Sequence, residues 1–127
     1  MQEEIVDFSF IYEMSHNDST YIYEVIDLFL KSVPEGLSKL EQTIRESDDF
    51  LVIQKQAHFL KSSANVIKVS GMYDNLVKIE ALARAQTGKE EIVTLLDKML
   101  IVFKDALPVL EKEKEKNRLL IKSKAKK

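Results

Sequence analysis

With 127 residues, 45% of them apolar and 31% charged, the chain has room for one domain and enough apolar mass to bury a core. It contains no Cys, which excludes disulfides, thiolate metal sites and a thiol nucleophile, and its three Gly and two Pro disfavour a turn-rich β-sandwich or barrel. The longest stretch without a charged side chain, Ser62 to Ile67, is far short of the ~20 residues that span a bilayer. The opening Met-Gln-Glu-Glu is acidic where a secretory signal is basic, so a soluble cytoplasmic protein is expected.

The net charge of −2 conceals an asymmetry: from Glu111 to Lys127 eight Lys and Arg face three Glu, so the body before Glu111 is acidic on balance. An acidic body argues against a nucleic-acid-binding face, and the alternating Glu-Lys run from Glu111 to Lys116 reads as a solvated helix end. Neither a nucleic-acid nor a membrane partner is expected.

Asp7 to Met14 is a short apolar-rich segment, followed by a polar break, His16-Asn17-Asp18-Ser19, that offers helix caps. A helix is expected from Thr20 to about Glu46, with a kink or a new first turn at Pro34 and a slight weakening at Gly36. Ser47-Asp48-Asp49 caps the next helix, where Phe50, Ile53, Ala57, Leu60, Ala64 and Ile67 recur at spacings of 3 and 4, a bundle-type seam. Ser70-Gly71 ends it. Met72, Leu76, Ile79 and Ala83 repeat the spacing up to a break at Thr87-Gly88. Ile92, Leu95 or Leu96, Met99, Val102 or Phe103, and Ala106 line the last helix, with Pro108 as a candidate kink and a charged tail that continues the helix or frays. The expected fold is all-α: an antiparallel up-down-up-down four-helix bundle with a short N-terminal helix packed across one end. Residues 1–110 form the domain, and residues 111–127 a basic helical extension or tail.

The chain has two His. Glu13 and His16 match one E-x-x-H, but a di-metal bundle needs two such motifs and two further Glu, so no metal site is expected. His58 follows the seam residue Ala57 and is therefore rotated by about 100° off the buried stripe. Gln54, Lys55, Lys61 and Ser62 lie within one turn of it. An accessible imidazole is a nucleophile near neutral pH, and Lys61 at i+3 faces any anionic group placed on the ring. Phosphoryl transfer is mostly positioning and charge stabilisation, so His58 and Lys61 suffice to carry a phosphoryl group that a partner delivers. No Gly-rich nucleotide loop is present, since Gly36, Gly71 and Gly88 are isolated.

Ala57-His58-Phe59-Leu60-Lys61-Ser62-Ser63-Ala64 resembles the A-H-x-L-K-[GS]-[SA] signature of histidine phosphotransfer domains. Asp7 to Glu13 is similar to the family's opening segment, Phe29 with Pro34 and Leu37 to its F-x-x-x-x-P-x-x-L stretch, and Ile79-Glu80 with Arg84 to its L-E-x-x-[AC]-R stretch. The resemblance covers Asp7 to Leu110 and implies a phosphorelay intermediate of a two-component system. His58 would accept a phosphoryl group from a receiver-domain phosphoaspartate and pass it to another response regulator. Partners would be receiver domains and a hybrid sensor histidine kinase. Lys61 is the family's basic position beside the phosphate. Ser62 stands where Gly is common and keeps the approach open, Ser63 is a hydrogen-bonding neighbour, and Gln54, Lys55 and Arg84 are supporting candidates. No cofactor of its own is implied, Mg²⁺ belonging to the receiver, and a monomer is expected. Lys68 stands near where many members have a helix-closing Gly. The apolar surplus of Tyr21, Ile22, Tyr23, Val25, Ile26, Leu28, Phe29 and Leu30 is expected to be covered in part by the N-terminal helix and otherwise to serve docking, with Phe59 equally ambiguous. The competing readings are an HPt-like adaptor that binds receivers without being phosphorylated and, more distantly, a nucleic-acid-binding protein using the basic tail.

Overall fold

Val6–Asp7 (β1) is extended in the computed structural model, which describes residues 5–125, and Ser9–Met14 forms a single-sided helix (α1) that buries Ile11. His16 and Asn17 then take left-handed backbone conformations (φ 54° and 63°) that turn the chain. Asp18 caps the long second helix, its carboxylate accepting the Thr20 and Tyr21 N–H groups at 3.0 and 3.4 Å. This helix, α2, runs Ser19–Glu46 without interruption. The kink or restart expected at Pro34 does not divide it, because Val33 and Leu37 on either side are both buried and hold the two halves in one line of packing.

Asp49 accepts the Val52 N–H and starts α3, Phe50–Val66. The helix ends one residue before the expected seam does: Ile67 is extended (φ −120°, ψ 117°) yet fully buried. Lys68–Val69 (β2) then pairs antiparallel with β1, Val6 opposite Val69 and Asp7 opposite Lys68. Ser70-Gly71 serves less to stop α3 than to start α4, Met72–Arg84, with Gly71 at φ 73° in the cap position. The last helix, α5, spans Lys89–Ala125 and carries on through both Pro108 and the charged segment, so the tail continues the helix.

Helices α2 and α4 each pack against both α3 and α5, and the core lies between the four. All the proposed seam residues face it except Phe50, which is half-buried. Leu95 and Leu96 are both buried, and of the next pair Phe103 is buried and Val102 half-buried. Gly36 permits the approach of α2 to α3, since a Cβ there would stand 2.7 Å from Leu60 Cδ2. Beyond Leu110, α5 lies along the first turns of α2 and α1. Lys114 pairs with Asp27 at 3.0 Å, and the fully buried Asn117 donates to the Tyr12 hydroxyl at 3.0 Å. No helix among the described residues is long and apolar enough to cross a membrane.

Candidate functional site

Helix α3 buries Ile53, Ala57, Leu60 and Ala64, which fixes its rotation and turns the next residue outward. The His58 side chain is 71% exposed. Its Nδ1 lies 2.7 Å from Oε2 of Glu80, on α4. Glu80 is buried (5% exposed), and it gathers three cations: His58 when charged, Lys61 with Nζ 2.6 Å from Oε1, and Arg84 with Nη2 3.5 Å from Oε2. Burial works to raise the Glu80 carboxyl pKa, but hydrogen bonds from Lys61 and His58 more than offset it and hold the group below its ordinary value. Glu80 is therefore an anion at neutral pH and accepts only, which favours the tautomer of the neutral ring with its proton on Nδ1 and its lone pair on Nε2. A buried carboxylate thus holds an exposed ring through Nδ1, and Nε2 has no hydrogen-bond partner among the described residues.

The other residues expected at the site divide by element. Gln54, Lys55, Phe59 and Arg84 line a shallow depression around His58 and Glu80. Lys61 does not stand clear of the surface: its side chain is 23% exposed and its ammonium is bound to the buried Glu80. Ser62 is exposed, and its hydroxyl turns back to the Phe59 carbonyl at 3.0 Å. Ser63 is half-buried, its carbonyl accepting the Ile67 N–H that closes the helix. Phe59 is 73% exposed and Leu28 65%, whereas Ile22, Ile26 and Phe29 of the apolar surplus are buried. His16 is exposed in the break before α2.

Sequence reasoning did not single out Glu80 as a site residue. The signal was present: Glu80 lies four residues after Leu76 and three before Ala83, a charge at a core-facing spacing. Such a charge implies partners on a neighbouring helix, and the register between α3 and α4 supplies them.

No curated protein and no solved structure matches the chain significantly. The family model of the Hpt domain matches residues 24–107, about two thirds of the chain, a span that holds α3, α4 and the whole His58–Lys61–Glu80–Arg84 cluster. The motif around His58, the helical architecture and this match agree, and the chain belongs to the Hpt domain family.

Proposed function

We propose that this protein is a stoichiometric phosphocarrier in which His58 Nε2 takes a phosphoryl group from the phosphoaspartate of one receiver domain and yields it to the aspartate of another. The lone pair on Nε2 attacks phosphorus; the N–P bond forms as the P–O bond to the receiver's aspartate breaks, and that aspartate leaves as a carboxylate. The ring becomes cationic with its proton still on Nδ1, facing the Glu80 carboxylate 2.7 Å away. Lys61 neutralises Glu80 between transfers, and one helix turn from His58 it is the cation that would meet the phosphoryl oxygens. The receiver supplies the acyl phosphate and its own Mg²⁺; the carrier supplies the nucleophile, its tautomer and a docking surface, and needs neither ATP nor a cofactor. Phe59 and the depression beside it form the apolar part of that surface, with Lys55 and Arg84 at its edge.

The observation that carries this reading is an imidazole 71% exposed and held through Nδ1 by a carboxylate that is itself buried. The test is to mix the protein with a phosphorylated receiver and follow acid-labile, base-stable phosphate. Wild type should take up the label and His58→Gln should not. Label on the variant would move the site elsewhere, and a wild type that binds the receiver without taking up label would leave only the adaptor reading.

A further inference from the structure

The C-terminal part of α5 carries an apolar flank that the described residues leave largely open. Leu119 and Leu120 are 53% and 42% exposed and, with the stems of Lys112, Glu115 and Lys116, surround a shallow and largely apolar depression. Two of the three acids of this segment are engaged, Glu111 being exposed without an ion pair among the described residues. Glu113 accepts from the Tyr12 hydroxyl and pairs with Lys116 at 3.6 Å, and Glu115 accepts from Nε and Nη2 of Arg118 at 2.8 and 2.6 Å. Past Glu115 the sequence contains no acid, while Lys116, Arg118, Lys122, Lys124, Lys126 and Lys127 supply six cations in twelve residues. Among the described residues Lys122 and Lys124 are exposed and form no ion pair. The sequence alone makes this segment a solvated helix end; the exposed leucines and the two engaged glutamates are what the structure adds.

We propose that this end of α5 docks on an anionic lipid bilayer, with Leu119 and Leu120 entering the boundary between headgroups and acyl chains and the surrounding cations resting on lipid phosphates. Cations flanking an apolar pair match such a surface, in charge and in layering. A nucleic acid would satisfy the cations but leave the leucines nothing apolar to bury against. The acidic remainder of the chain is repelled by an anionic surface, which confines contact to this end and keeps the body in water. The docking end is also remote from the imidazole. Leu60, two residues from His58, packs at Gly36 of α2, while the extension is tied to Asp27, about 13 Å further along α2 at ~1.5 Å per residue. A protein held at the membrane in this way still presents His58 to a visiting receiver.

The test is cosedimentation of the full chain with phosphatidylglycerol–phosphatidylcholine vesicles and with pure phosphatidylcholine vesicles. Wild type should pellet with the anionic vesicles only, and less as salt is raised. Lys122→Gln/Lys124→Gln should weaken binding about 30-fold, at roughly fivefold for each cation near the surface. Leu119→Ser/Leu120→Ser should weaken it as well while leaving the thermal melt unchanged, since both side chains are exposed. His58→Gln should pellet like wild type, which separates this proposal from phosphotransfer. Equal pelleting with neutral vesicles, no pelleting at all, or binding indifferent to the leucine change would overturn it. Tight binding to duplex DNA that survives the leucine change would assign the segment to nucleic acid instead.

Discussion

Glu80 acts on His58 without touching anything that His58 would react with. Glu80→Gln keeps an oxygen opposite Nδ1 but removes the charge that would balance a phosphorylated ring under the proposed function, and its amide can also flip to present a donor. Transfer from a phosphorylated receiver should slow by about 10-fold or more in this variant, while receiver affinity stays near wild type. The stability readout has a definite sign. The Glu80 carboxyl has a pKa below its ordinary 4.5, so ionised Glu80 contributes stability at pH values above that figure and loses it as pH falls through the folded-state value. Thermal melts of wild type and Glu80→Gln should therefore differ near neutrality by an amount that shrinks on acidification; a difference constant down to strongly acidic pH would mean that ionised Glu80 does not stabilise the fold. Lys61→Ala should slow transfer and also cost about 1–2 kcal/mol in urea denaturation, because a buried carboxylate loses its nearest cation. The sequence alone predicts that Lys61→Ala slows transfer without unfolding the bundle, since the position is off the buried stripe. His58 was legible because a helix rotation is set by one seam, whereas the Lys61–Glu80 pair depends on the register of two helices, which no local pattern encodes.

At the scale of the elements, α3 is fixed by the large and small residues that alternate on its inner face, Ile53, Ala57, Leu60 and Ala64. Ala64 is 1% exposed, and Ala64→Glu places an unpaired charge in the core. The variant should lose cooperative unfolding or at least about 3 kcal/mol of stability; a normal melt would mean that the rotation presenting His58 is wrong. Helix α2 makes the opposite case. Pro34 lacks the N–H that would bond the Leu30 carbonyl, yet the helix persists because buried residues flank it. Pro34→Ala should raise the urea midpoint, by about 1–2 kcal/mol in stability. Helix number, caps and seams were readable from spacing and from Asp18 and Asp49. The continuity at Pro34 was not, since it is decided by packing. Nor was the β1–β2 pair, two residues on each side, whose partners lie more than sixty positions apart.

For the molecule as a whole, the extension of α5 is a structural member as well as a charged surface. It covers Tyr12, pairs with Asp27 and buries Asn117 completely. A chain shortened to end at Leu110 should melt several degrees lower, and hydrogen exchange should quicken first in α1 and the opening turns of α2. Unchanged protection there would mean that the extension merely lies alongside. Composition and charge were enough to expect one helical domain with a basic end. That this end packs against the N-terminal region was hidden, because Asn117 sits in a run that otherwise reads as solvated.

The tether between Glu80 and the inner ring nitrogen has a chemical consequence for any label this protein acquires. With Nδ1 held by Glu80, the outer nitrogen is the one whose lone pair would attack phosphorus, so the product should be a single regioisomer, the τ-phosphohistidine. Antisera raised against non-hydrolysable mimics of the τ and π forms should therefore stain the charged protein unequally, the first strongly and the second at background.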